Sequence, residues 1–219
     1  MTASLPRPAA PAQDVTRSVL SIKPFRKLWN SMVFSSLGDW LGLLATTALA
    51  QQLSGGSYAT ANFAIAGVFI ARLLPAVFLG PIAGVIADRF DRRKLMVTAD
   101  IFRAALYISI PIVNTYFWLY AAMILVECLT LFWSPAKEAT VPNLVGKDKL
   151  ESANQASLLA AYGTAPVAAI LFSLLTLFAS AIESLFPFSI GSSVDIALYA
   201  NAATFAFAAF TIWGLKEIP

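Results

Sequence analysis

Histidine is absent from this sequence, and cysteine occurs once, as Cys128. Without histidine there is no Ser-His-Asp triad and no Cys/His zinc site, and a lone cysteine cannot close an internal disulfide. Charge is scarce as well: Asp, Glu, Lys and Arg make up 12% of the 219 residues, about half the share of a soluble domain. No G-x-x-x-x-G-K-[ST], HExxH or GxSxG pattern is present, which argues against direct use of ATP, an intramembrane enzyme or any cofactor. The net charge of +3 follows membrane topology rather than a nucleic-acid patch, because of where the basic residues fall.

Hydrophobic residues make up 58% of the chain and come in runs of spanning length. About twenty helical residues at 1.5 Å each cross a hydrocarbon core of about 30 Å. Six segments qualify, near 30–53, 60–87, 94–113, 117–136, 152–179 and 194–215. The expected fold is an all-α membrane protein in the lipid bilayer. Residues 1–22, rich in Pro, Ala and Ser and without a signal-length apolar stretch, read as a disordered cytoplasmic tail, and 23–219 as a transmembrane bundle. Trp29, next to the basic run Lys23 to Lys27, stands where an interfacial anchor belongs.

Basic residues alternate by side. The N-terminal region holds five, the second loop four, the fourth loop three and the C-terminus one, while the first, third and fifth loops hold none. The positive-inside rule then places both termini in the cytoplasm of an inner-membrane protein and requires an even number of spans.

Away from the span ends, five charged residues fall inside the spans: Asp39, Arg72, Asp100, Arg103 and Glu127. Each is costly in hydrocarbon unless paired or wetted, so each is a functional candidate, with a structural clip as the alternative. Asp100 and Arg103, three apart, share a helix face and read as a clip. Asp39, Arg72 and Glu127 lie near mid-membrane on the first, second and fourth spans and can meet across one cavity. Ser35, Gly42 and Thr46 flank Asp39 at helical spacing, as a wet wall would. Tyr120, with Glu127 on the fourth span, is a candidate lining residue. If Arg72 pairs with Asp39, Glu127 lacks a basic partner and becomes the candidate for proton coupling or a cationic substrate.

Gly80 and Gly84 give the second span a small-xxx-small spacing that lets another backbone come close, and Gly163 does the same in the fifth. Pro75, Pro81 and Pro166 favour kinks. In the loop after the second span, Asp88 can cap a neighbouring helix, and Arg89, Arg92 and Arg93 can hold carboxylates across the cytoplasmic face.

The run Gly84-Val85-Ile86-Ala87-Asp88-Arg89-Phe90-Asp91-Arg92-Arg93-Lys94 resembles the G-x-x-x-D-R/K-x-G-R/K-R/K signature between helices two and three of the major facilitator superfamily, with Asp91 where the signature has Gly. Phe25 to Trp29, Ser36 to Asp39, Ser134 to Ala139 and Asn201 to Phe205 look like the branch of enterobactin-exporter-like and macrolide-efflux-like carriers. The resemblance implies a conformational latch made of Gly84, Asp88, Arg89, Arg92 and Arg93, with Asp100 and Arg103 in the same relay. Ala165-Pro166 is a degraded form of the Gly-Pro motif of the family's antiporters.

Members of that superfamily carry twelve spans in two halves, each an inverted pair of three-helix repeats, with the substrate path between them. The expected architecture is therefore one such half. The implied function is alternating-access efflux of a small organic substrate along Asp39, Arg72, Tyr120 and Glu127. The opposite wall would come from a missing C-terminal half, a separately encoded half-unit or a homodimer partner. A non-transporting membrane assembly protein is the alternative, and no nucleic-acid partner is expected.

Overall fold

A computed structural model describes residues 19–185 and 192–215. Among them are six helices and no strand: α1 (Lys23–Leu53), α2 (Tyr58–Ala87), α3 (Arg92–Val113), α4 (Tyr116–Val145), α5 (Leu150–Leu185) and α6 (Ser193–Trp213), with a single 3-10 turn at Lys147–Lys149. All six are long and apolar enough to cross a membrane.

Local chemistry fixes most of the helix ends. Ser57 and Thr115 cap α2 and α4, accepting from the backbone N–H of Thr60 and Trp118. Ser192 and Asp195 form a reciprocal capping box on α6. The turn between α1 and α2 uses Gly55 and Gly56 at φ 64° and 87°, a left-handed backbone that glycine adopts without a Cβ penalty.

α4 runs past the expected limit at 136, through Pro135 and Pro142, to Val145. The apolar stripe explains it, since Ala136, Val141 and Val145 stay buried against the bundle, and packing of that stripe outweighs the missing proline N–H groups. Of the expected tail 1–22, residues 1–18 lie outside the described residues. Val19 is fully buried in the same apolar cluster as Phe25 and Leu28.

Helix pairing carries an internal symmetry. α1 packs on α5 and α6, α4 packs on α2 and α3, and α3 packs on α6. Exchanging the first three helices for the last three maps this set of pairs onto itself, which is the pattern of a 3+3 repeat. The core divides into two clusters. One, around Phe25, Met96, Trp133 and Ile212, lies toward the end bearing residues 23–27, 88–94 and 147–149, called here the basic end. The other, around Leu49, Val68, Tyr107 and Leu198, lies toward the opposite end.

α2 and α5 are the least buried helices and turn Phe63, Phe78, Leu158, Ile170 and Phe178 outward. An apolar face of that extent belongs against lipid or another protein surface. The close helix contacts are not where the glycine spacing placed them. A Cβ at Gly80, Gly84 or Gly163 would meet nothing within 4 Å, whereas one at Gly42 would come 2.3 Å from the Tyr107 hydroxyl and 2.8 Å from Asn201 Nδ2. The tight contacts run along α1 at Gly38 and Gly42, and on α2 at Gly67, where a Cβ would come 2.8 Å from the Tyr120 ring, rather than at Gly80 or Gly84.

Candidate functional site: a chain of buried charges

The five candidates Asp39, Arg72, Asp100, Arg103 and Glu127 join into one chain. On α2, Arg72 Nε lies 2.8 Å from Glu127 Oε1 of α4, and its Nη1 donates to the main-chain carbonyl of Asp39 at 3.3 Å. The Asp39 carboxylate accepts from Arg103 of α3 at 3.4 Å, and Arg103 donates to Asp100 at 2.6 Å. Trp133 Nε1 of α4 closes the chain by donating to the other Asp100 oxygen at 3.2 Å. Four helices are tied together in this way. Three carboxylates face two guanidiniums, a formal excess of one negative charge when all five are ionised.

Burial divides it in two. Asp100 and Arg103 are fully buried, and the Arg103 guanidinium sits 4.6 Å from the Phe205 ring centroid and 5.4 Å from that of Trp133, a cation–π cage that offsets part of its desolvation. This half is the clip that the i, i+3 spacing implied. The other half is open: the Asp39 side chain is 32% exposed, against 18% for Arg72 and 16% for Glu127. Asp39 and Arg72 border a cavity of about 230 Å³ with Ser36, Trp40, Leu43 and Tyr162.

Two expectations are corrected here. Arg72 pairs with Glu127 rather than with the Asp39 carboxylate, so Glu127 has a basic partner; Asp39 is instead held by Arg103, reaching from α3. The stripe of Ser35, Gly42 and Thr46 is not a wet wall either. Those three residues are buried, with Thr46 Oγ1 bonded back to the Gly42 carbonyl at 2.6 Å, and they form the seam against α3 and α6. The open stripe of α1 is Ser36, Asp39, Trp40 and Leu43, one position further round the helix.

Tyr120 belongs to a helix seam. Its hydroxyl donates to the Ala64 carbonyl of α2 at 3.2 Å, its ring packs on Gly67, and it does not border the Asp39 cavity. Trp29, expected as an interfacial anchor, donates its indole N–H to the Ala156 carbonyl of α5 at 2.8 Å, as Trp40 does to Ala161. Trp40, Trp133, Tyr162 and Phe205 escaped sequence reasoning, because an aromatic residue in an apolar span carries no mark of the charge it will meet. A larger cavity of about 590 Å³, lined by Lys137, Asn154, Ser157 and Tyr162, lies between α4 and α5 and shares Ala161 and Tyr162 with the smaller one.

At the basic end the expected latch residues separate. Arg92 donates to the Ala139 carbonyl of α4 at 2.9 Å, and Arg93 donates to the Trp213 carbonyl at the end of α6. They hold carbonyl oxygens, not carboxylates, and Arg93 neutralises the negative pole of a helix. Asp88 and Arg89 are exposed. The cap on α3 is Asp91, which accepts from Lys94 N–H at 2.9 Å: the residue that departs from the signature takes the capping role expected of Asp88. Asp100 and Arg103 join the Asp39 chain rather than this loop.

Six spanning helices paired by a 3+3 symmetry, with a charge chain between them, have the architecture of one half of a major facilitator fold. Residues 15–209 match the family described as transmembrane secretion effector, and the chain belongs to that family of major facilitator transporters. Among its relatives are an uncharacterized MFS-type transporter of Bacillus subtilis, 32% identical over 60% of this chain and 30% of the relative, and macrolide efflux protein A of Enterococcus faecalis, 34% identical over 46% of this chain and 34% of the relative. A third, a candidate bacilysin exporter of Bacillus subtilis, is 27% identical over 89% of this chain and 45% of the relative. The chain thus spans a third to a half of the length of these relatives. No solved structure matches it.

Proposed function

We propose that this chain forms one six-helix half of a secondary transporter that exports a small organic molecule by alternating access. The observation that carries the reading is the half-open end of the charge chain, where Asp39 and Arg72 border a cavity and Glu127 stands behind them. Ionised groups persist inside a membrane where they face water or substrate, and the single excess negative charge makes this trio the place where a proton or a cationic group is exchanged. Names of relatives that refer to macrolide efflux and bacilysin export support a small organic substrate.

In this reading the basic end faces the cytoplasm of an inner-membrane protein, as the distribution of Lys and Arg requires. A second six-helix unit, whether a C-terminal half, a separate chain or a second copy, supplies the opposite wall against α2 and α5. Arg92 and Arg93, clamping α4 and α6 to the start of α3, hold one of the two states, and Gly84, Asp88 and Arg89 lie free to engage the second unit.

The test is efflux from cells making the complete gene product, followed with a panel of amphipathic fluorescent dyes. Glu127→Gln and Asp39→Asn abolish efflux at normal membrane abundance if the trio is the pathway. Unchanged efflux in both refutes the assignment, and absence of efflux from the parent protein favours a non-transporting assembly role.

A further inference from the structure

Apart from the two cavities beside Tyr162, the bundle carries a further recess that does not touch the charge chain. It is an apolar groove of about 430 Å³ between α3 and α6, lined by Val97, Ile101 and Ala104 on one side and Ala206, Phe210 and Trp213 on the other. Small side chains open it: Ala104 and Ala206 leave room where their neighbours Ile101 and Phe210 stand out as walls. Its lining covers about two helical turns of α3, about 10 Å along the axis, and it faces outward from the core.

The groove has a charged head. Arg93 lies four residues before Val97 and eight before Ile101, hence on the same face of α3, one turn nearer the basic end. Its guanidinium sits 5.9 Å from the centroid of the Trp213 ring, which is itself part of the groove wall. One of its five N–H donors goes to the Trp213 carbonyl, which leaves others for an incoming oxyanion. Arg89 and Lys94 add positive charge at the same end, against Asp88 and against Asp91, which lies 3.8 Å from Lys94.

We propose that this groove is a binding site for an anionic phospholipid, with one acyl chain laid between α3 and α6 and the phosphate at Arg93. An apolar slot alone would accept any acyl chain; the guanidinium above it selects the headgroup. Trp213 joins the two parts, its ring forming groove wall while its carbonyl orients Arg93. A lipid seated here binds both α3 and α6, the pair at the centre of the 3+3 symmetry, and so stabilises this half.

Native mass spectrometry of the purified, delipidated 219-residue chain, titrated with phosphatidylglycerol or phosphatidylcholine, tests the proposal without any transport readout. Phosphatidylglycerol is expected to bind at least about fivefold more tightly, the contribution of about one basic residue at a membrane surface. Arg93→Gln should remove that preference and Arg93→Lys should retain it, while Ala206→Phe, which fills the slot from its exposed side, should weaken both lipids. Circular dichroism checks that each variant is folded; should Arg93→Gln fail to fold, Ala206→Phe and Arg93→Lys still decide. Equal binding of the two lipids, or phosphatidylglycerol binding indifferent to Ala206→Phe, overturns the site.

Discussion

Asp100→Ala probes the dry half of the charge chain. Arg103 is fully buried and holds Asp100 at 2.6 Å and Asp39 at 3.4 Å. Removing Asp100 takes away the shorter, charge-assisted contact and also strands the Trp133 indole N–H, which donates to the second carboxylate oxygen. Breaking a buried ion pair by deleting one partner costs about 3–5 kcal/mol. The surviving Asp39 contact offsets part of this, so the expected cost is about 3 kcal/mol, about a hundredfold in the unfolding equilibrium. The double variant Asp100→Leu/Arg103→Met leaves no stranded charge in the core, since Asp39 is reached by solvent, but still strands the Trp133 N–H, so it should recover only part of the loss, to within about 1–2 kcal/mol of the parent. Unfolding in dodecyl maltoside micelles with increasing sodium dodecyl sulfate, followed by tryptophan fluorescence and circular dichroism, measures both; Trp133 reports from inside the chain. A cost for Asp100→Ala below about 1 kcal/mol, as for a surface pair, would refute the reasoning.

Other outcomes follow from the same geometry. Gly42→Ala drives a Cβ into Tyr107 and Asn201 and should destabilise by about 1–3 kcal/mol, while Gly84→Ala, with open space around it, should leave the micelle unfolding curve unchanged; equal curves for the two would contradict the seam along α1. Arg72→Gln and Glu127→Gln should be non-additive, with a coupling of about 0.5–3 kcal/mol in a double-mutant cycle, and additive effects would dissolve the 2.8 Å pair. Asp91→Ala removes the cap on α3 at a cost of about 1 kcal/mol, read from the same curves; Asp88→Ala, exposed and without an ion pair among the described residues, should cost nothing measurable in stability.

Composition and spacing reached the class of fold and the number of spans, because lipid leaves a helix few ways to satisfy its backbone and the signal repeats every twenty residues. They also picked out the five residues of the charge chain, because a charge in an apolar run is conspicuous. What they could not reach was pairing. Arg72 lies within reach of both Glu127 and Asp39, and only the rotation of α1 about its axis decides that Arg103 takes the Asp39 carboxylate. The same rotation of about one residue put Ser35, Gly42 and Thr46 in the seam and Ser36 in the open stripe. The glycines were misplaced for a related reason: small-xxx-small spacing marks a surface that can be approached, and Gly80 and Gly84 lie on a face with no neighbour inside this chain, whereas Gly42 is tight because Tyr107 and Asn201 come from helices distant in sequence.

Water access beside Asp39 tests the proposed pathway most directly. In a Cys128→Ser background, Ser36→Cys places a thiol on the wall of the cavity shared with Asp39 and Arg72, Ser35→Cys places one in the buried seam, and Phe78→Cys one on the outer apolar face. Reaction with a membrane-impermeant cationic methanethiosulfonate reagent in oriented membrane vesicles should label Ser36→Cys and leave the other two unmodified. A thiol at position 36 as unreactive as one at position 35 would mean that the charge chain is sealed from water, and that this half does not line a transport path.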